Sequence, residues 1–271
     1  MTTTVLGGRG FIGRHVVARL QAQGHACWVP ERDDPSLFIR PLGQVIYCIG
    51  ITANFRTQPF ATVDANLGVL RQVLERATFD QLLYLSSTRV YDGADSTDEG
   101  APLRVQPGWP DHLYNLSKLM GESLALSSGR PCRVARVCNV IGPGMGPTNF
   151  VGALLHAAHS NGAVQFQTAL ASVKDYVWID DAVEALLAIA QRGVEPIYNI
   201  ATGQPMRHAA LAQMLAHHGV AVSVAADAPV VQFPPVAVQR LQRDTGTLPR
   251  PVAPLLSAWL ASYLSNPKEH A

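Results

Sequence analysis

Gly7-Gly8-Arg9-Gly10-Phe11-Ile12-Gly13 stands between a short apolar run, Thr4 to Leu6, and a helical pattern that runs from Phe11 to Gln23. Glycines at 7, 10 and 13 allow a tight turn, a close backbone approach to a pyrophosphate and close packing of helix on strand. The start of the helix also presents free N–H groups that face such phosphates. A glycine loop alone says little. Lodged between a strand and a helix, it reads as a dinucleotide cradle in which Arg9, Phe11 and Ile12 sit among the glycines. The helix stops at Gly24, a residue suited to the position just past a helix C-terminus.

Working outward, the same alternation recurs. Ala26 to Pro30, Val45 to Ile49, Leu82 to Ser86 and Arg133 to Cys138 read as strands, and their near-continuous apolar character suits strands covered on both faces. Helical patterns run from Val63 to Ala77 and from Leu113 to Leu126. Strands alternating with helices predict an α/β fold, a Rossmann-type doubly wound parallel sheet. From Gly142-Pro-Gly-Met-Gly-Pro147 onward, helices and proline-broken segments predominate, with one more strand-like run from Pro196 to Ile200. The expected organisation is a single domain over residues 1–271. Within it, residues 1–141 mainly form the dinucleotide core. Residues 142–271 mainly form a small C-terminal substrate lobe that returns one strand, near 196–200, to the sheet.

The 271 residues are 48% hydrophobic and 15% charged, with a formal net charge of +1, and no run of lysine and arginine occurs. A nucleic-acid partner is therefore not expected, because that affinity rests on clustered cations. Cys27, Cys48, Cys132 and Cys138 form no C-x-x-C pair and no zinc-like spacing with histidine, so no metal site is expected. They read as small buried hydrophobes in a reducing compartment. Met1-Thr-Thr-Thr leads straight into Val5-Leu6 without a signal segment, and no apolar run is long enough to span a membrane. The expectation is a cytoplasmic protein without membrane contact. His15, His25 and His217-His218 read as surface or helix residues; Trp109, in a proline-rich loop, either lines the substrate site or covers the core, the second being slightly favoured.

Glu31 and Arg32 follow the second strand. An acid there bonds the ribose 2′-OH of NAD, whereas an arginine accommodates the 2′-phosphate of NADP, so the residues leave NAD or NADP open. The connection from Glu31 to Val45 is too short for a crossover with its own helix and strand. It has room for about one turn around Pro35–Pro41, which predicts that no further strand lies between them.

Tyr114-Asn115-Leu116-Ser117-Lys118 places a phenol and an ammonium at i and i+4, on one face of a helix. A cation there stabilises the phenolate and would bring a tyrosine, ordinarily near ~10, towards proton exchange with a substrate hydroxyl. By itself the spacing is commonplace. Ser86, Ser87 and Thr88, however, end a strand at the edge where open α/β sheets place their ligands. Glycine loop, hydroxyl cluster and Tyr-Lys helix follow in one chain order.

Over roughly residues 4 to 204 this combination resembles the extended short-chain dehydrogenases/reductases, the nucleotide-sugar epimerase/dehydratase group. The family's G-x-x-G-x-x-G looks like Gly7, Gly10 and Gly13, and its serine-rich strand end and V-Y-G like Leu85-Ser-Ser-Thr-Arg-Val-Tyr91. Its Y-x-x-x-K is matched by Tyr114 and Lys118, with Gly121-Glu122 following. The resemblance implies that Tyr114 is the acid/base, that Lys118 lowers its pKa and holds the nicotinamide ribose, and that Ser87 bonds the substrate oxygen beside Thr88. Arg136-Val-Cys-Asn139 before Gly142-Pro143 resembles R-x-x-N…G-P, implying backbone near Val137 beside the nicotinamide and Asn139 towards the substrate. Val173-Lys-Asp-Tyr-Val-Trp-Ile-Asp-Asp181 is similar to R-D-[FY]-[IV]-x-[VI]-x-D, so that Lys174 stands for an arginine that grips a nucleotide diphosphate. Tyr198-Asn-Ile-Ala-Thr-Gly203 is similar to Y-N-x-x-x-G.

The chain departs from the pattern at Ile46-Tyr-Cys-Ile-Gly50, where the commoner H-L-A-A is replaced; Ile49 and Gly50 remain expected cofactor contacts, and Asn66 matches the family's asparagine. The family's dehydratases carry Asp and Glu after the catalytic hydroxyl, where this chain has Thr88 and Arg89. The resemblance thus implies an NAD(P)-dependent epimerase or reductase of a nucleotide-linked sugar, not a 4,6-dehydratase. It also implies dimerisation through helices equivalent to Val63–Ala77 and Leu113–Leu126. Two other expectations stay open: an NADPH-dependent reductase of a non-nucleotide carbonyl compound, and a non-catalytic cofactor-sensing protein on the same fold.

Overall fold

A computed structural model describes residues 2–52, 55–109 and 111–265. In chain order, β1 (Thr3–Leu6) leads into α1 (Phe11–Ala22), β2 (Cys27–Trp28) and β3 (Gln44–Tyr47). Next come α2 (Pro59–Val63), a π-turn at Asp64–Gly68 and α3 (Val69–Arg76), followed by β4 (Gln81–Ser87), α4 (His112–Ser127) and β5 (Cys132–Val137). The second half runs through β6 (Asn139–Ile141), α5 (Phe150–Asn161), β7 (Ala163–Phe166), β8 (Val173–Lys174), β9 (Tyr176–Trp178), α6 (Ile179–Arg192) and β10 (Ile197–Ile200). It ends with β11 (Met206–Arg207), α7 (His208–His217), β12 (Ala221–Val224), α8 (Gln239–Thr245) and α9 (Val252–Ser265).

The main sheet has the order β2-β1-β3-β4-β5-β10 and is parallel throughout. This is the doubly wound Rossmann-type sheet expected from the alternation. Successive side chains of a strand point to opposite faces, and here both faces are apolar. Val45, Tyr47, Leu82 and Tyr84 join the cluster beneath α3, with Leu70 and Val73. Ile46, Leu83 and Leu85 join the opposite cluster, with Val16 of α1 and Val183 and Leu186 of α6. Burying each such side chain contributes about 1.5–3 kcal/mol relative to leaving it in water.

β2 is an edge strand that pairs only Cys27 and Trp28 with β1, shorter than the run Ala26 to Pro30 suggests. Pro30 has no N–H for a ladder. From there the chain makes a single 3-10 turn, Pro35–Phe38, capped by Asp34, whose carboxylate accepts from Ser36 N at 2.9 Å, and then enters β3. No further strand intervenes, as the short Glu31–Val45 connection predicts.

The helix expected over Val63–Ala77 begins earlier, at Pro59, a residue preorganised for the first helical position. The π-turn at Asp64–Gly68 interrupts it and turns Asn66 fully inward. Beyond Gly142 the sequence suggests helices, yet three small two-stranded sheets also form there: β6 with β9, β7 with β12 and β8 with β11. With two to four residues each, these strands are too short for a periodicity to register.

Candidate active site

β2 lies on one side of β1 and β3 on the other, so the chain reverses its direction across the sheet between them. Open α/β sheets hold ligands in the crevice outside such a switch point. Gly7 ends β1 with φ +78°, and a Cβ there would lie 2.9 Å from the backbone of Cys48 and Ile49. A Cβ at Gly13 would collide with the carbonyl oxygen of Gly7 and lie 2.8 Å from Gly8 Cα. The loop can therefore run this close to its helix and to β3 only with glycine at both positions. No side chain caps α1 at Gly10, so its first N–H groups are open to a phosphate. Phe11 and Ile12 begin the helix and pack onto the core, holding that end in place. The residues present fit a dinucleotide pyrophosphate.

At the adenine-ribose end, both Glu31 carboxylate oxygens accept from the Arg9 guanidinium. Each partner pulls the other towards its charged form: Arg9 is raised and Glu31 lowered by their hydrogen bond. The structure thus brings Arg9 and Glu31 together. Arg32 is exposed beside them and belongs to no hydrogen bond or ion pair among the described residues.

The reactive end gathers at the C-terminal ends of β3, β4 and β5. Ser87 ends β4 in register with Val137 on β5. Its Oγ accepts from Arg89 N at 3.2 Å, which caps the 3-10 turn Thr88–Tyr91. Tyr114 lies on α4, 2% exposed, with its ring 5.4 Å from that of Phe55. Two contacts with β4 fix Lys118: its Nζ donates to Leu85 O at 3.0 Å and sits 5.2 Å from the centre of the Tyr84 ring. A Cβ at Gly50 would meet Asn66 Oδ1 at 2.8 Å and Lys118 Nζ at 3.1 Å, so Gly50 is what lets these groups converge. Asn66 Nδ2 donates to Ser117 Oγ at 2.8 Å, while its buried Oδ1 has no hydrogen-bond partner.

The sequence predicts that Lys118 lowers the Tyr114 pKa, and here the structure differs. Burial holds the phenol above its ordinary value, and the groups that oppose this are the Ser87 hydroxyl and the Arg89 charge. Lys118 is turned to Leu85 instead. Burial brings Lys118 itself down to about 8, against the pull of Cys48 and Glu122. Between about pH 8 and the ordinary lysine value of 10.5, the unfolded chain therefore binds more protons at this site than the folded chain. Stability from this site then rises with pH. In cofactor-free protein, Lys118→Met should raise stability at pH 7 by on the order of 1–2 kcal/mol. That gain should fade towards pH 10, which denaturant melts of the two proteins across the pH range will measure.

Thr88 and Arg89 lead from Ser87 and Tyr114 into a cleft of about 520 Å³, also walled by Asn139, Lys174, Arg56 and Asp111. Asn139 Nδ2 donates to Asp175 O at 2.8 Å. The Lys174 ammonium lies 4.7 Å above the Phe150 ring, which stacks on His208 at 4.5 Å. Burial and the Arg89 charge both lower the Lys174 pKa. Burial also takes His208 down to about 4, keeping it neutral beside Lys174.

Several of these groups escape a motif reading. Arg56 pairs with Asp111 across 55 residues, through Nε and Nη2 at 2.6 Å each. His112 is buried with an unpartnered Nε2, 3.9 Å from Asp92 at the cleft wall. No local spacing announces either pair; only Arg89 carries a signal, its place directly after the Ser-Thr of the hydroxyl cluster. Trp109 does not cover the core as expected: it is 54% exposed and packs on the His112 ring at 4.9 Å. Among the described residues, no helix is long and apolar enough to cross a membrane, and no group of three or more candidate side chains could hold a metal ion.

Sheet order, glycine loop and switch-point crevice define a dinucleotide-binding α/β protein. The chain belongs to the NAD dependent epimerase/dehydratase family, whose sequence model matches residues 3–201. The family is described as NAD dependent, and the glycine loop fits the pyrophosphate of such a dinucleotide. Among solved structures, MoeE5 in complex with UDP-glucuronic acid and NAD is 22% identical over 100% of both chains, with a TM-score of 0.83. MoeE5 in complex with UDP-glucose and NAD gives 0.82 at 22% identity, covering 98% of each chain. TunA, an NAD dependent NDP-hexosamine 5,6-dehydratase involved in tunicamycin biosynthesis, is 21% identical over 98% of this chain and 99% of its own, at 0.81. RMD from Pseudomonas aeruginosa, complexed with NADPH, is 23% identical over 98% and 99%, at 0.76. At these identities the likeness is one of fold. A comparison with curated protein sequences finds no match.

Proposed function

We propose that the protein is an NAD(P)-dependent epimerase or reductase of a nucleotide-linked sugar. The observation that carries this reading is the meeting of the Ser87 hydroxyl with Tyr114, with Lys118 buried beside Gly50 on the same helix, next to a cleft lined by Thr88, Arg89 and Lys174. In this reading Tyr114 takes a proton from, or returns it to, the reacting sugar hydroxyl, and Ser87 bonds the same oxygen. Lys118, buried and turned towards Gly50, holds the nicotinamide ribose. The nicotinamide, when bound, supplies the hydride chemistry. Lys174 faces the diphosphate as a point charge, and Asn139 and Thr88 border the sugar. MoeE5 has been solved with both a neutral and an acidic sugar, so the likeness leaves the sugar's own charge open.

Thr88 and Arg89 supply no carboxylic acid–carboxylate pair, whereas elimination needs a base at one carbon and an acid at the leaving oxygen. Incubation with NAD and a panel of nucleotide hexoses should therefore yield, by mass spectrometry, isomers or species differing by two hydrogens. Catalytic formation of a product lighter by one water would overturn this assignment.

The Arg9–Glu31 pair sets a second expectation. Glu31 favours ribose hydroxyls and repels a 2′-phosphate, while Arg9 beside it attracts one. Opposed in this way, and without the missing strand to cover the adenine, the two should leave the preference between NAD and NADP below ~100-fold. Glu31→Gln should free Arg9 and move the preference about tenfold towards NADP. Paired titrations of both cofactors will show it; an unchanged ratio would exclude the pair from cofactor choice.

Two further features belong to the proposal. Phe60, Val63 and Met120 lie exposed on α2 and α4, an apolar surface that a homodimer through these helices would cover. The four cysteines are all free thiols, which suits the reducing cytoplasm.

A further inference from the structure

Arg89 is a cleft residue that the proposed chemistry leaves without a task. Its guanidinium carbon lies 5.3 Å from the centre of the Tyr114 ring and 5.0 Å from that of Phe55. Its charge acts on Tyr114 on one side and on Lys174 on the other. It lines the same cleft as Lys174 and lies beside the ring that carries the reacting hydroxyl.

Among the described residues, Arg89 has no bidentate partner. Arg56 engages both oxygens of Asp111 at 2.6 Å, whereas Arg89 approaches that carboxylate only to 3.5 Å. Two guanidinium groups thus share one carboxylate. The other two acids at the cleft face elsewhere. Asp175 is taken up by Thr202 and Gly203, and Asp92 lies towards His112. The His112 ring accepts from Gln106 N at 2.7 Å through Nδ1, so that nitrogen carries a lone pair and Nε2–H faces Asp92. The Arg89 side chain keeps about a third of its surface open to the cleft. The Phe55 and Tyr114 rings hold its planar fork in place, which lowers the ordering cost of a bidentate contact.

We propose that the sugar unit of the substrate carries a carboxylate, as in a nucleotide-linked uronic acid, and that Arg89 binds that group. The proposal rests on the nucleotide-sugar reading above and narrows it. A planar guanidinium matches a carboxylate through two parallel charge-assisted hydrogen bonds, roughly twice as strong as those to a neutral hydroxyl.

The test is binding to NAD-saturated protein, measured by calorimetry without requiring turnover. Its ligands are UDP, UDP-glucose against UDP-glucuronic acid, and GDP-mannose against GDP-mannuronic acid. In at least one pair the acid should bind about tenfold tighter or more. Arg89→Gln should erase that difference while leaving UDP and the neutral sugars within about twofold. Arg89→Lys, which keeps the charge but loses the fork, should retain part of it. If wild-type protein binds UDP or GDP sugars but does not prefer the acids, the proposal fails and the nucleotide-sugar reading stands. If Arg89→Gln weakens UDP, UDP-glucose and UDP-glucuronic acid alike, Arg89 is a diphosphate clamp and the proposal is overturned. If none of the nucleotides binds, the broader reading fails and takes the proposal with it.

Discussion

Tyr114→Phe should lose turnover by about 10²–10⁴-fold while its affinity for the cofactor stays within about twofold, because the substitution removes one proton-carrying oxygen and little else. The ring is 2% exposed and packs against Phe55 at 5.4 Å, and phenylalanine keeps both the burial and the contact. Losing the contact with the Ser87 hydroxyl should cost the fold no more than about 1 kcal/mol, so melting temperature serves as the control. The pH dependence gives a second readout. Burial holds the phenol above its ordinary value, so in the oxidative direction, where a phenolate must accept the proton, activity should climb with pH in wild-type protein. The residual activity of Tyr114→Phe should lack that climb. Rates followed by the absorbance of the reduced nicotinamide measure both. Undiminished turnover in the variant would remove Tyr114 from the acid/base role.

What the sequence made legible is local. Gly7, Gly10 and Gly13 fall within seven residues at the junction of a strand and a helix, and Tyr114 and Lys118 lie one helical turn apart, so a pattern over a few residues suffices to place them. The parallel sheet follows from apolar runs that return at regular intervals, and the missing strand from the number of residues between Glu31 and Val45. The rest of the site is made by distant partners. Arg56 meets Asp111, Phe150 stacks on His208 and Lys174 covers Phe150 only once α4, α5, α7 and β8 have packed. Lys118 illustrates the limit of a spacing argument. The i, i+4 relation puts it on the same helix face as Tyr114, yet the carbonyl of Leu85 on β4 decides where its ammonium points. Asn66 illustrates another: the π-turn that buries it breaks the 3.6-residue period on which a helix reading depends.

Replacing Arg136 by methionine should destabilise the protein by about 3–5 kcal/mol, because it strands a buried carboxylate. Arg136 and Glu122 have side chains 4% and 5% exposed and meet at 2.7 Å between Nη2 and Oε2, with Nε shared between both carboxylate oxygens. Despite burial, the Arg136 pKa stays raised, owing to Glu122 and Tyr91. Ser86 Oγ also donates to Glu122 Oε1, and Arg136 Nη1 donates to Tyr91 OH at 2.8 Å, which donates in turn to Asn199 Oδ1 at 2.8 Å. Ser86 and Tyr91 flank the turn that begins at Ser87, so the pair ties both ends of that turn to α4, β5 and β10. The alkyl chain of methionine fills much of the arginine's space but leaves Glu122 with the Ser86 hydroxyl alone. A loss of this size corresponds to a fall in melting temperature on the order of 10 °C for a chain of this length. The double variant Glu122→Leu with Arg136→Met separates charge from packing: removing both ions should restore much of the lost stability. It should not restore turnover to the same extent, because the turn carrying Ser87 has lost its polar tethers. If Arg136→Met melts within about 1 kcal/mol of wild type, the ion pair does not hold this turn.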